Sequence, residues 1–318
     1  MISLECLGND MVVRPIELDE ALRKMRYVDN KRWSNTLEGW IVPRTEFNNV
    51  VALFGINIKF LSSVDDFVDN VDSNIYSSQK GFDGINFKPY PFQVVGANFA
   101  VQTKKSLIAD YMGLGKTMQA ILAYAKLKSE KKVRKMLVVT PASVKYQWLL
   151  AFANMTSFKA MVVKSPSEFS GKNLEVRTGK ALEQLDLMGE YDAYIVNYET
   201  LSNQKIFDRL QEMKFNMVVF DEIHYTKNRL SIRSKKSYEI AKGKQYVIGL
   251  SGTPLENNPP ELFGVFRVVD NTLFPTWTTF EKSYIKYVGY GIIGGYRNLP
   301  RLRKKIQPYI IRLSLIHI

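Results

Sequence analysis

Residues 106–118, SLIADYMGLGKTM, have the types and spacing to handle a phosphate. Leu107, Ile108 and Ala109 read as a short buried strand that stops at Asp110. Gly113, Leu114 and Gly115 then make a turn that a side chain at either glycine would crowd. Lys116 and Thr117 open an amphipathic helix with Met118, Ile121, Leu122 and Ala125 on one face. Strand, glycine loop and helix aim backbone N–H groups and a helix N-terminus at an anion. In that frame Lys116 reaches the terminal phosphates of a nucleotide and the Thr117 hydroxyl holds Mg²⁺. The usual GxxxxGKT pattern starts on Gly or Ala; here Asp110 fills that position.

Residues 217–224, MVVFDEIH, supply the other half of such chemistry. An apolar strand delivers two adjacent carboxylates to its end. Asp221 is placed to hold Mg²⁺ through water, and Glu222 to take the proton from an attacking water. A lone Asp-Glu pair says little, but about a hundred residues after a Gly-Lys-Thr loop it points to ATP hydrolysis.

The elements that must position these groups follow from residue 87 onward. Near-continuous apolar runs at 136–140, 160–163, 193–197, 217–220 and 246–250 are separated by helical segments. Runs without alternation, spaced by helices, predict a parallel sheet covered on both faces, an α/β fold. Active groups in such sheets sit at the carboxyl ends of the strands. Asp110, Thr140, Asn197, Asp221 and Ser251 all fall there. The segment 274–312 is aromatic and basic, and its Gly289, Gly291 and Gly294 formally spell GxGxxG. Gly295, Tyr296 and Pro300 follow where a helix should start, so this is no dinucleotide site.

Residues 1–80 read as a separate small α+β module. A hairpin joins 2–7 to 11–15, a helix covers 17–25, a second helix 46–53, and 56–61 alternates as a strand. Trp33 and Trp40 stand around the turn-forming Asn35 and Gly39. With Arg26, Lys31 and Arg32 they could grip nucleic acid, or they could fill a core too small to do without them; the residues alone favour the core. A Ser-, Asp- and Asn-rich stretch at 62–86 reads as a linker.

With 44 basic and 31 acidic residues the net charge is +13, which suits a polyanion such as nucleic acid. No apolar run approaches the ~18 residues that span a bilayer, and no basic-then-apolar leader precedes Glu5 and Asp10, so the expectation is a soluble intracellular protein without a membrane partner. A single cysteine, Cys6, excludes an internal disulfide and a thiolate zinc cluster, and only His224 and His317 offer imidazole.

The order DYMGLGKT, VVTPASVKYQW, IVNYETL, VVFDEIH, LSGTPLENN resembles the first motor lobe of Swi/Snf-type ATPases of helicase superfamily two, over roughly residues 87–312. The resemblance implies a RecA-like lobe at 81–312, of the P-loop NTPase kind, that uses ATP and Mg²⁺ on DNA. Gly113, Leu114, Gly115, Lys116 and Thr117 match the phosphate loop, and Gln93 in PYPFQVVGANFA takes the place of an adenine-reading glutamine. Asp221 and Glu222 match the metal and water-activating pair. Pro141, Ala142 and Ser143, with Asn197, Tyr198 and Thr200, match segments that touch the DNA backbone. Ser251, Gly252 and Thr253 match the segment that couples nucleotide state to DNA. Tyr111 replaces an acidic residue of the family pattern, and Ile223 a small one.

The phrasing is most similar to the annealing-helicase branch, and KRWSNTLEGWIVP resembles the HARP-type module before its motor. The implied function is a duplex translocase that remodels or anneals branched DNA; a nucleotide-gated DNA-binding module without turnover and an RNA helicase are the alternatives. Compact versions of this branch also occur in viruses of bacteria, which would place the protein in the host cytoplasm. The family resemblance also implies a second lobe, which these residues do not include. Residues 313–318, LSLIHI, spell what a transposase-end sequencing adaptor encodes, so the expectation is a non-native tail after Arg312, with a native strand ending as the alternative; codons that do not spell the adaptor would overturn it.

Overall fold

Strands that are apolar along their whole length cannot leave a face to water, and here they build one seven-stranded sheet. In this computed structural model the chain divides into two units, one within residues 1–78 and one within 79–314. The residues described are 2–7, 10–16, 18–26, 28, 30–43, 50, 58–60, 82–187, 190–252, 258–289 and 292–312.

In the larger unit the strands are β6 (Lys105–Ile108), β7 (Met136–Thr140), β8 (Ala160–Val162), β9 (Ala193–Asn197), β10 (Met217–Phe220), β11 (Tyr246–Leu250) and β14 (Ile310–Ile311). Their order is β14-β6-β11-β10-β7-β9-β8, and every pairing is parallel. This is the α/β parallel sheet that the apolar runs predict. Alternate residues enter different cores: Val138, Ile195 and Val219 one, Val139, Val196 and Phe220 the other. The first is closed by α2 (Pro91–Thr103), α3 (Lys116–Ser129) and α4 (Lys145–Met155) through Ala97, Leu122 and Trp148. The second is closed by α5 (Leu174–Leu187), α6 (Gln204–Glu212), α7 (Ile232–Ala241) and α8 (Pro259–Val269) through Leu185, Phe207, Ile240 and Phe266.

Because all strands run the same way, their carboxyl ends share one edge. Along β6, β11, β10, β7 and β9, the next residues are Ala109, Ser251, Asp221, Pro141 and Tyr198. The sequence does not show β14. A two-residue pair is too short for a pattern, yet its register on Leu107 and Ile108, with the Ala109 N–H donating to the Ile311 carbonyl at 2.8 Å, sets Arg312 beside the glycine loop. The formal GxGxxG falls in a hairpin of β12 (Ile285–Tyr287) and β13 (Ile293–Tyr296), Gly291 itself lying outside the described residues.

The smaller unit has β1 (Ile2–Leu7), β2 (Asp10–Pro15), α1 (Leu18–Met25), β3 (Arg32–Ser34), β4 (Gly39–Pro43) and β5 (Ile58–Phe60). Its sheet runs β3-β4-β2-β1-β5, with only β1 and β5 parallel. Trp33 and Trp40 are directly opposed across β3 and β4, ring centroids 4.8 Å apart and edge to face. They differ in burial. Trp40 belongs to the core with Leu4, Val13 and Val42, whereas Trp33 is 46% exposed on the edge strand and donates its indole N–H to Asn35 Oδ1 at 2.8 Å. The expectation that both fill the core is corrected for Trp33: an edge strand has no neighbour to bury it. The turn at Gly8 and Asn9, most of the expected helix at 46–53, most of the linker and the tail at 313–318 lie outside the described residues. Among the described residues no helix is long and apolar enough to cross a membrane.

Candidate phosphate and metal site

Gly113 and Gly115 both have positive φ, at 87° and 69°, the left-handed region that only glycine enters without strain. A Cβ on Gly113 would meet open space, but one on Gly115 would lie 2.5 Å from Gln93 Nε2. Gly115 caps the N-terminus of α3 without a side-chain acceptor, which leaves N–H groups to face an anion. Lys116 folds back over this loop, its ammonium donating to the Asp110 and Tyr111 carbonyls at 2.9 and 3.1 Å. Burial lowers its pKa, against the pull of Asp110, Glu222 and Asp221. A half-buried ammonium among carboxylates, held by weak neutral acceptors, is ready to exchange them for phosphate oxygens.

Asp110 does not need the left-handed backbone that a glycine there would allow. Fully buried, it accepts from Gln119 Nε2 at 2.7 Å and so ties the start of the loop to α3. Tyr111 is exposed, with the Arg312 guanidinium 5.4 Å above its ring.

Asp221 and Glu222 follow β10. Asp221 Oδ2 accepts from the Trp148 indole N–H at 2.8 Å and from Thr140 Oγ1 at 3.0 Å, while Oδ1 accepts from the Glu222 N–H at 3.1 Å. Burial pushes the Asp221 carboxyl up, and the two side-chain donors oppose it. Glu222 sits at φ 48°, a strained conformation for a residue with a side chain. His224 Nδ1 lies 3.1 Å from its Oε2. That neighbour, joined by the Lys116 ammonium and the Gly252 N–H, lowers the Glu222 pKa against burial, so the group is ionised at neutral pH.

The structure separates the other expected contacts by burial. Ala142 and Ser143 are exposed in the turn after β7, whereas Pro141 is buried. Tyr198 is fully buried: its hydroxyl donates to the Asp221 carbonyl at 2.9 Å and its ring stacks on Tyr225 at 5.4 Å. In the turn after β9, Tyr198 therefore has no exposed surface of its own. Asn197 and Thr200, also buried, hydrogen-bond to each other. Ser251 is buried and its N–H donates to the Ile108 carbonyl at 3.0 Å; Gly252 is so close that a Cβ would lie 3.6 Å from Lys116 Nζ. Thr253 lies outside the described residues. Gln93 caps α2, its Oε1 accepting from the Tyr90 N–H at 3.1 Å, with the exposed Tyr90 ring stacked on Phe92.

Trp148, Thr140 and His224 were not singled out from the sequence as partners of the carboxylates. Nor was the fit of Ile223, whose bulk is accommodated by Gly249 of β11: a Cβ there would approach Ile223 Cδ1 to 2.8 Å. Gly249→Ala should therefore cost about 1–3 kcal/mol in urea unfolding, and Ile223→Ala in the same chain should recover part of it. Strictly additive costs would show that the two side chains do not meet.

Among the described residues no group of three or more His, Cys, Asp or Glu is placed to hold a metal alone. The oxygen donors here, Asp221 and the Thr117 hydroxyl, suit a hard cation that shares the phosphate oxygens of its ligand. Asp221 Oδ1 keeps acceptor capacity beyond the Glu222 N–H, so the residues present fit Mg²⁺.

The chain matches the SNF2-related domain over residues 25–315. It is 31% identical over 240 residues to the DNA annealing helicase and endonuclease ZRANB3 of Bos taurus, covering 72% of this chain and 21% of that protein. It is 34% identical over 196 residues to the SWI/SNF-related matrix-associated actin-dependent regulator of chromatin subfamily A-like protein 1 of Bos taurus, covering 61% and 19%. The Sulfolobus solfataricus SWI2/SNF2 ATPase core in complex with dsDNA superposes with a TM-score of 0.58 at 25% identity, over 73% of this chain and 45% of that one. The sheet is thus the RecA-like one of such cores. The chain spans about a fifth of the length of these curated relatives.

Proposed function

Since this chain belongs to the SNF2-related domain family, we propose that it is the ATP-binding lobe of a DNA-dependent ATPase that moves on duplex DNA and remodels or anneals branched structures. The observation that carries the reading is the convergence of Lys116, Asp221 and Glu222 on one sheet edge, close enough for both carboxylates to act on the ammonium. In this reading the loop N–H groups and Lys116 bind the phosphates, and Gln93 and Tyr90 border the base. Asp221 and Thr117 hold Mg²⁺, which neutralises charge on the phosphates when bound. Glu222, kept ionised, takes the proton of the attacking water.

Coverage of 45% of the solved core suits one lobe of a two-lobed motor. Charge stabilisation by an arginine from the other lobe is then needed for fast turnover, an effect worth ~10³ to 10⁵ in rate in related phosphoryl transfer. Residues 1–318 alone should hydrolyse ATP barely, and supplying a second lobe should restore turnover that duplex DNA stimulates. Stimulation by RNA above duplex DNA would favour the RNA-helicase reading, and binding without turnover in a two-lobed protein the gated binding module.

Ala142 and Ser143 are the exposed residues offered to a DNA backbone, and the exposed Trp33, next to Arg32 on β3, is offered to unpaired bases. DNA binding should weaken steeply with salt and differ by less than ~10³-fold between sequences, because phosphate contacts dominate. Trp33→Ala should lower preference for branched over linear duplex in competition assays, at a stability cost of only about 0.5–1.5 kcal/mol for the lost contact with Trp40. Unchanged preference would make the small unit structural.

A further inference from the structure

We propose that Trp148 and Thr140 are positioning residues for the Asp221 carboxylate, holding it in the orientation from which it shares a divalent cation with a bound nucleotide. The inference rests on the nucleotide-site reading and assigns two residues to it that the family likeness does not. Thr140 ends β7 and Trp148 lies in α4, so the two flank the turn that exposes Ala142 and Ser143. Both donate to the same atom, Asp221 Oδ2, at 3.0 and 2.8 Å.

A carboxylate's terminal torsion is broad and twofold, so backbone placement alone does not say which oxygen faces a ligand. Two convergent donors on Oδ2 break that symmetry. They occupy one oxygen and leave Oδ1, with the Glu222 N–H on it, as the atom with capacity to spare. Trp148 is 1% exposed among Ile195, Val219 and Phe152, where an apolar ring would pack as well; an indole N–H in such a place needs an acceptor, and the one it has is this carboxylate. Partners that orient a metal-binding side chain in this way are worth about 10- to 100-fold in metal affinity. The clasp also means that the exposed turn and the carboxylate are fastened at both ends of the turn.

The test is titration of a fluorescent ATP analogue into residues 1–318 and into Trp148→Phe and Thr140→Val, each in Mg²⁺ and in EDTA. In EDTA both variants should bind within about twofold of the parent. In Mg²⁺ the strengthening seen in the parent should shrink by about tenfold or more in each. Variants that keep the full strengthening, or that lose affinity equally in both buffers, overturn the proposal, the second result marking a role in packing alone. If Trp148→Phe melts early or fails to fold, Thr140→Val decides alone, since its change in volume is minimal. A parent chain that binds the analogue but gains nothing from Mg²⁺ contradicts the metal site itself, a failure distinct from that of the two donors.

Discussion

Lys116→Ala will abolish measurable ATP binding by residues 1–318. In the structure the ammonium sits over the glycine loop with two backbone carbonyls as its neutral partners, and burial makes its charge costly there. Phosphate oxygens would replace those acceptors with charged ones, and hydrogen bonds between charged groups are worth up to ~3 kcal/mol each. Alanine removes that gain and leaves the negative charge of Asp221 and Glu222 without the ammonium that offsets it near a bound anion. Affinity should fall at least about 100-fold by calorimetry, while the melting temperature changes little or rises, because a buried charge has gone. Affinity within about threefold of the parent would remove Lys116 from the site.

Glu222→Gln separates binding from chemistry. The amide keeps the shape of the side chain beside His224 and the Gly252 N–H, but it cannot take a proton. It leaves Asp221, the carboxylate assigned to the cation, in place and relieves it of a like charge that raises its pKa. ATP affinity should stay within about threefold. DNA-stimulated hydrolysis in a protein that carries both lobes should drop ~10² to 10⁴-fold, the usual range for a lost general base. Equal loss of binding and turnover would mean that Glu222 holds the ligand instead of activating water.

Much of this site was legible before the fold was, for a physical reason. The central strands of this buried parallel sheet, β7, β9, β10 and β11, are largely apolar runs of four or five residues, and the candidate groups stand at or just after their ends, as at Asp221. Phosphate binding needs glycines and a lysine in fixed local order, so the pattern at residues 113–117 is carried in adjacent letters. What sequence does not reveal is contact across the sheet. Trp148 and Asp221 are 73 residues apart, and nothing local marks the indole as a carboxylate's donor. Ile223 departs from the family pattern, and the Gly249 that makes room for it sits one strand away. Burial has the same character: Tyr198 lies in a motif expected to meet DNA, yet in the turn after β9 it is fully buried, its ring stacked on Tyr225 and its hydroxyl on the Asp221 carbonyl, while Trp33, grouped with Trp40 by composition, lies on an edge strand.

The central claim, that the glycine loop and the two carboxylates form one nucleotide and metal site, is tested most directly by titrating ATP into residues 1–318 by calorimetry, once with Mg²⁺ and once with EDTA. The account predicts one saturable site that Mg²⁺ strengthens and that ADP competes for. No saturable binding, or binding that Mg²⁺ leaves unchanged, would contradict it.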